Sequence, residues 1–160
     1  MQDIFETTGL KPGSVYLAFE NKEALYKEAL EQYANRAIQH IHKTIAASRN
    51  PNHGICTILT QMTNEATQEP YVGCFLVNSQ LELAATNHNL FNFARRQLQI
   101  IEAQYATYLQ PEVGADVAKE RATSIMFHIF GLRVYGHHDK NKEILLASFQ
   151  EGLPWLPWHT

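Results

Sequence analysis

The chain has 160 residues, 45% hydrophobic and 18% charged, with a net charge of -3. That length suits one domain, or one domain with a small appendage. It also lets the chain bury about two-thirds of its unfolded surface without disulfide or metal staples. The composition excludes a disordered chain, and no apolar run nears the ~18 residues that span a bilayer. With no basic segment leading into an apolar one, no signal peptide is visible, and a cytoplasmic protein with no membrane partner is expected. Two cysteines, Cys56 and Cys74, are too few for a disulfide framework. The first 50 residues hold six Lys/Arg and six Asp/Glu, so the acidic excess lies beyond them. Any nucleic-acid contact must therefore come from a few placed cations and not from a basic coat.

In chain order, Gln2 to Thr8 can make two helical turns, Gly9 suits a left-handed turn position, and Pro12 is placed to enter a new helix. Ser14 to Phe19 reads as a short second helix, and Asn21 as the cap of a long one, with Glu23 at its positive end. Residues 22–47 carry Tyr26, Leu30, Ala34, Ala37, Ile41 and Ile45 on one stripe of an amphipathic helix. Breakers follow at Asn50-Pro51-Asn52, Glu69-Pro70 to Gly73, Asn87-His88-Asn89, Gln110-Pro111 to Gly114, and Gly136 to Asp139. Between them the apolar spacing stays at three to four. Residues 90–109 present Phe91, Ala94, Leu98, Ile101, Tyr105 and Tyr108, and residues 115–135 present Ala118, Ala122, Ile125, Ile129 and Leu132. No segment alternates with period two, so the fold class is all-α. Two short helices joined by a glycine-containing turn have the layout of a helix-turn-helix.

The run Thr8-Gly9-Leu10-Lys11-Pro12-Gly13-Ser14-Val15-Tyr16-Leu17-Ala18-Phe19-Glu20-Asn21-Lys22-Glu23-Ala24-Leu25 resembles the DNA-binding segment of the TetR/AcrR family of bacterial transcriptional regulators. A second stretch, Gly73-Cys74-Phe75-Leu76-Val77-Asn78 to Glu82-Leu83-Ala84, is similar to the C-terminal domain of one branch of that family. The resemblance implies an N-terminal helix-turn-helix, residues 1–46, running into a connecting helix. A helical bundle, residues 47–160, would bind an effector and form a homodimer. It also implies a further helix ahead of the segment that opens this chain. The first unit is thus expected to be incomplete, with Ile4, Phe5, Leu10, Val15 and Phe19 left as a partly uncovered mini-core.

On the recognition helix so implied, Gly13 and Ser14 stand at the end that enters the major groove. Tyr16 and Lys22 are expected on phosphates, with packing or plain solvation as the alternative for each. Lys11 and Leu17 are expected at the groove floor.

A search for chemistry finds little. There is no phosphate loop, dinucleotide fingerprint or nucleophile elbow. None of the eight histidines has a Glu three residues before it, as a carboxylate di-iron bundle requires. Adjacent His137 and His138, with Asp139, read as a solvated helix end in preference to a metal site. Cys56 and Cys74 read as structural thiols, with a redox pair as the alternative. Neither catalysis nor a cofactor or metal is expected. The aromatic and sulfur-bearing residues of 56–135 fit an apolar effector pocket, for which Met62, Phe75, Asn78, Tyr105, Phe127 and His128 are the candidates. A wide apolar face at Ala122, Ile125, Ile129 and Leu132, continued by Leu145 and Phe149, is expected to form the dimer interface.

The expected function is a ligand-responsive repressor on palindromic operator DNA, released by a small apolar or aromatic effector. A helical ligand-binding or interaction module without DNA binding is the alternative, and a bundle enzyme is the least supported.

Overall fold

The computed structural model describes residues 6, 7, 9, 11–138 and 141–158, with the side chains of Pro12 and Tyr16 outside that description. Seven helices follow in order: α1 (Pro12–Ala18), α2 (Lys22–Ala46), α3 (Pro51–Ala66), α4 (Phe75–Leu83), α5 (His88–Val113), α6 (Ala115–Tyr135) and α7 (Lys142–Gly152). Among the described residues there is no strand, as the spacing predicts. The expected mini-core residues Ile4, Phe5 and Leu10, and most of the helix expected over residues 2–8, lie outside the described residues.

Asparagine sets most helix starts. Asn21, Asn50, Asn87 and Asn141 cap α2, α3, α5 and α7, each side chain accepting from a backbone N–H of the first turn. Such a carbonyl satisfies a donor that the helix itself leaves orphaned. Gly9, at φ +67°, takes the left-handed turn expected of it. The helix expected over residues 14–19 begins instead at Pro12, because proline at a first helical position has no N–H to leave unpaired. Pro111 does not end its helix as the breaker reading has it. It sits two residues from Val113, where a missing N–H removes only one bond near the frayed end, and Gly114 at φ +80° makes the actual turn.

α5 and α6, separated by that one glycine, pack along each other as the central pair. α2 lies across α5 and α3, α4 fits between α5 and α2, and α7 returns against α3 and α6. Leu30, Ile41, Ile55, Ile58, Leu59, Leu76, Leu109 and Ile125 are among the fully enclosed side chains of one continuous core. Each contributes roughly 1.5–3 kcal/mol by leaving water. The crossing of α2 on α3 is close enough to need a glycine: a Cβ on Gly54 would lie 2.8 Å from the Ile45 Cα.

Candidate nucleic-acid interface and internal cavity

Among the described side chains of α1, only Val15 turns inward, at 3% exposure. Lys11, Gly13, Ser14 and Leu17 face solvent, as does Lys22 at the start of α2. Leu17 is 91% exposed. An apolar side chain so exposed is sterically free to meet a group such as a thymine methyl. The Tyr16 side chain lies outside the described residues. Glu23 and Lys27 pair at 2.8 Å along α2 and occupy each other, whereas Lys22 joins no ion pair among those described.

α2 then carries this segment past a cavity of about 320 Å³, walled by α2, α3, α4, α5 and α6. The volume is at the small end of the about 300–1,000 Å³ usual for small-molecule sites. Its body is apolar: Ile41, Leu76, Leu98, Ile101, Met126 and Phe130. Its polar groups are Tyr33, Arg36, His40, Glu65, Cys74, Tyr105 and Arg133. Arg133 is nearly enclosed, its side chain 11% exposed, and donates to Glu65 Oε2 from Nη2 at 3.3 Å. Burial works against its charge, but the neighbouring Tyr71, Cys74 and Glu65 favour the charged form, outweigh burial and raise its pKa. Tyr105 is fully buried, and its hydroxyl has no hydrogen-bond partner. Burial pushes that phenol far up, only partly offset by the Arg133 charge, so it is a protonated donor. Burial likewise pushes the Tyr33 phenol up to about 12, reinforced by Cys74.

The short helix α4 links this cavity to the start of α2. It begins at Cys74 on the cavity wall, and Phe75 packs edge-on against both Tyr33 and Tyr26, at 5.9 and 5.3 Å between ring centres. One turn on, Ser79 and the Tyr26 hydroxyl are hydrogen-bonded at 2.8 Å.

The six side chains expected in an effector pocket do not converge. Met62 and Tyr105 line the cavity. Phe75 stands behind Tyr33 as a buttress. Asn78 is exposed on the outer face of α4, where its amide donates to the Val72 carbonyl at 3.1 Å. Phe127 is 72% exposed, one helical position from the inward Met126. The His128 ring bonds the Ser124 carbonyl at 2.8 Å and rests near Phe149 and Gly152. Tyr33, Arg36, His40 and Arg133 were missed. The signal for Arg133 was a cation in the mainly apolar second half of its helix, and for α2 it was polar residues flanking the stripe.

The residues expected at a dimer interface are enclosed within the single chain. Ala122 and Ile125 are fully buried, and Ile129, Leu132, Leu145 and Phe149 are nearly so. They belong to the chain's own core, because α5, α3 and the pairing of α6 with α7 cover that stripe from within. The same two helices enclose an apolar groove whose floor includes Leu132, Leu145 and Phe149, with Phe127, Gly131, Tyr135 and Ile144 on its open rim.

The thiols differ from a redox pair. Both are free, and burial pushes the Cys56 thiol up to about 11, which leaves it protonated and unreactive at neutral pH. Among the described residues no cluster of three or more His, Cys, Asp or Glu is arranged to hold a metal ion. Nor is any helix among them long and apolar enough to cross a membrane.

An all-α chain with a short exposed helix ahead of a long one, and a cavity beside the latter, has the fold of TetR-family transcriptional regulators. A TetR-family regulator from Cytophaga hutchinsonii superposes with a TM-score of 0.80 at 21% identity, covering 98% of this chain and 83% of that one. The TetR-family regulator CifR, as a cysteine mutant in complex with a 26-base-pair operator DNA, superposes with a TM-score of 0.72 at 23% identity, covering 98% and 86%. In sequence, the HTH-type transcriptional repressor ComR of Escherichia coli (strain K12) is 26% identical over 94 residues. That match takes in 58% of this chain and spans less than half, 45%, of ComR. No protein-family model matches the chain.

Proposed function

We propose that this chain is a DNA-binding transcriptional regulator of the TetR family, a cytoplasmic repressor acting as a homodimer on palindromic operator DNA. Residues 1–46 would form the DNA-reading unit, and residues 47–160 the effector-binding and dimer unit. The observation that carries the reading is the exposure of Ser14, Leu17 and Lys22 around the buried Val15. They stand at the end of a helix whose middle walls a cavity. The solved relative CifR, held on operator DNA, supports the same reading.

Homodimerisation is assigned to the outer groove of α6 and α7. Its rim is apolar, with Phe127, Tyr135 and Ile144 all more than half exposed. Two copies related by a two-fold axis would bury it in a self-complementary four-helix contact. Dimerisation also places two α1 helices on one face of a duplex, where half-sites recur about every 34 Å.

The effector, small and apolar or aromatic in body, is placed in the cavity. Along α2, Tyr33 lies about 16 Å from Lys22 at 1.5 Å per residue, so a ligand that displaces the cavity wall also tilts the recognition segment. The Phe75–Tyr33–Tyr26 stack and the Ser79–Tyr26 hydrogen bond give the displacement a stiff path. A shift of a few ångströms in recognition-helix spacing lowers affinity for a fixed operator.

The test is a gel shift with the DNA flanking the chain's own gene. A discrete complex that survives competitor DNA is expected. Failure to retain any specific fragment would favour a ligand-binding module without DNA binding.

A further inference from the structure

The charge lining the cavity is one-sided. Tyr105 and Arg133 both stand in its wall: the Tyr105 hydroxyl is enclosed and has no hydrogen-bond partner, and the Arg133 charge acts on its phenol. Among the residues lining the cavity there are two arginines, Arg36 and Arg133, and a single carboxylate, Glu65. Glu65 holds Arg133 through one oxygen only, at 3.3 and 3.4 Å from the two terminal nitrogens. Its own side chain is 60% exposed, so it engages the guanidinium from the solvent side. A buried hydroxyl donor without an acceptor is costly unless something supplies one. Most of the rest of the wall is hydrocarbon and thioether, from Ile41, Leu76, Leu98, Ile101, Met126 and Phe130, so the larger part of an occupant must be apolar.

We propose that the cavity binds a small organic acid, its carboxylate accepting from the Tyr105 hydroxyl and the Arg133 guanidinium, and its apolar body lying among Leu98, Ile101, Met126 and Phe130. A guanidinium and a hydroxyl donor both bond a charged acceptor more strongly than a neutral carbonyl or alcohol of the same shape, which favours an anion. The regulatory meaning of this binding rests on the proposed effector role of the cavity, whereas binding itself is measured without DNA.

The experiment uses phenylacetate, hydrocinnamate and octanoate, each beside its primary amide, with calorimetry and thermal unfolding of the full chain as readouts. At least one acid should bind, and its amide should bind about tenfold more weakly or worse. R133Q should remove the preference for the acid. Y105F should weaken acid binding while leaving the ligand-free protein as stable or more stable, since it deletes an unsatisfied hydroxyl and keeps the ring. That pairing would not arise if Tyr105 had only a structural hydrogen bond. The proposal is overturned if no acid binds, if the amides bind as well as the acids, or if Y105F lowers the melting temperature of the free protein. A parallel gel shift separates the two readings. An acid that binds without releasing operator would uphold the ligand class and sink the effector role. Amides that bind and release operator would do the reverse.

Discussion

Replacing Gly54 by alanine should destabilise this protein, against the usual trend for a helix interior. Gly54 lies within α3, and in such a position glycine is about 1 kcal/mol worse than alanine by propensity alone. Here the added Cβ would stand 2.8 Å from both the Cα and Cγ1 of Ile45, with the Ile45 Cβ at 3.3 Å. The nearer obstruction is backbone, so no rotamer change relieves it, and α2 and α3 must separate at their crossing. Forced repacking of a dense core costs typically 1–3 kcal/mol, and Ile45 and Ile55 would lose close contact as well. The net expectation is a loss of about 1–2 kcal/mol, which for 160 residues lowers Tm by roughly 2–8 °C. Urea unfolding and thermal melts at one fixed protein concentration would measure it, since a dimer's Tm depends on concentration. Because α2 also carries the segment proposed to read DNA, operator affinity should fall in the same variant. A G54A protein that melts higher than the parent would show that the α2–α3 crossing is looser than 2.8 Å implies, and the reasoning would fail.

Three further outcomes are expected. K22A should weaken binding to specific and random DNA alike and reduce the slope of log affinity against log salt by about one unit per subunit; an unchanged slope would make Lys22 a surface lysine only. The double variant F127E/I144E should be a soluble monomer by light scattering, because both side chains are more than half exposed in the single chain. A persistent dimer would move the interface off the α6–α7 groove. N21A removes the side-chain acceptor for the Ala24 N–H at 2.9 Å and should cost about 1 kcal/mol in unfolding free energy, a loss that N21D or N21S should largely spare.

Much of the architecture was legible because it is local. The all-α class, the stripe on residues 22–47, the left-handed Gly9 and the Asn21 cap all depend on residues within one or two turns of one another. The DNA-reading segment is legible for the same reason: eighteen contiguous residues carry turn, helix start and cation together. Pro111 was misread because a proline's effect depends on its distance from the helix end, which residue type alone does not report.

What sequence spacing could not decide was which neighbour each stripe meets. Ala122, Ile125, Ile129 and Leu132 form a proper helical face on paper, and any apolar stripe fits a fold core and a dimer seam equally well. Only the packing of α5 and α3 over it made it interior and left Phe127, Gly131 and Tyr135 exposed. The cavity is a stronger case. Tyr33, Glu65, Cys74, Tyr105 and Arg133 come from five helices or their caps and span 100 positions of the chain. Their convergence arises from the crossing of α2, α4, α5 and α6, and burial then fixes their chemistry by excluding water from the Tyr105 phenol and narrowing access to Arg133. A residue's type and neighbours along the chain determine what it can donate or accept. Whether it is left without a partner is settled by contacts remote in sequence, and so by the tertiary structure alone.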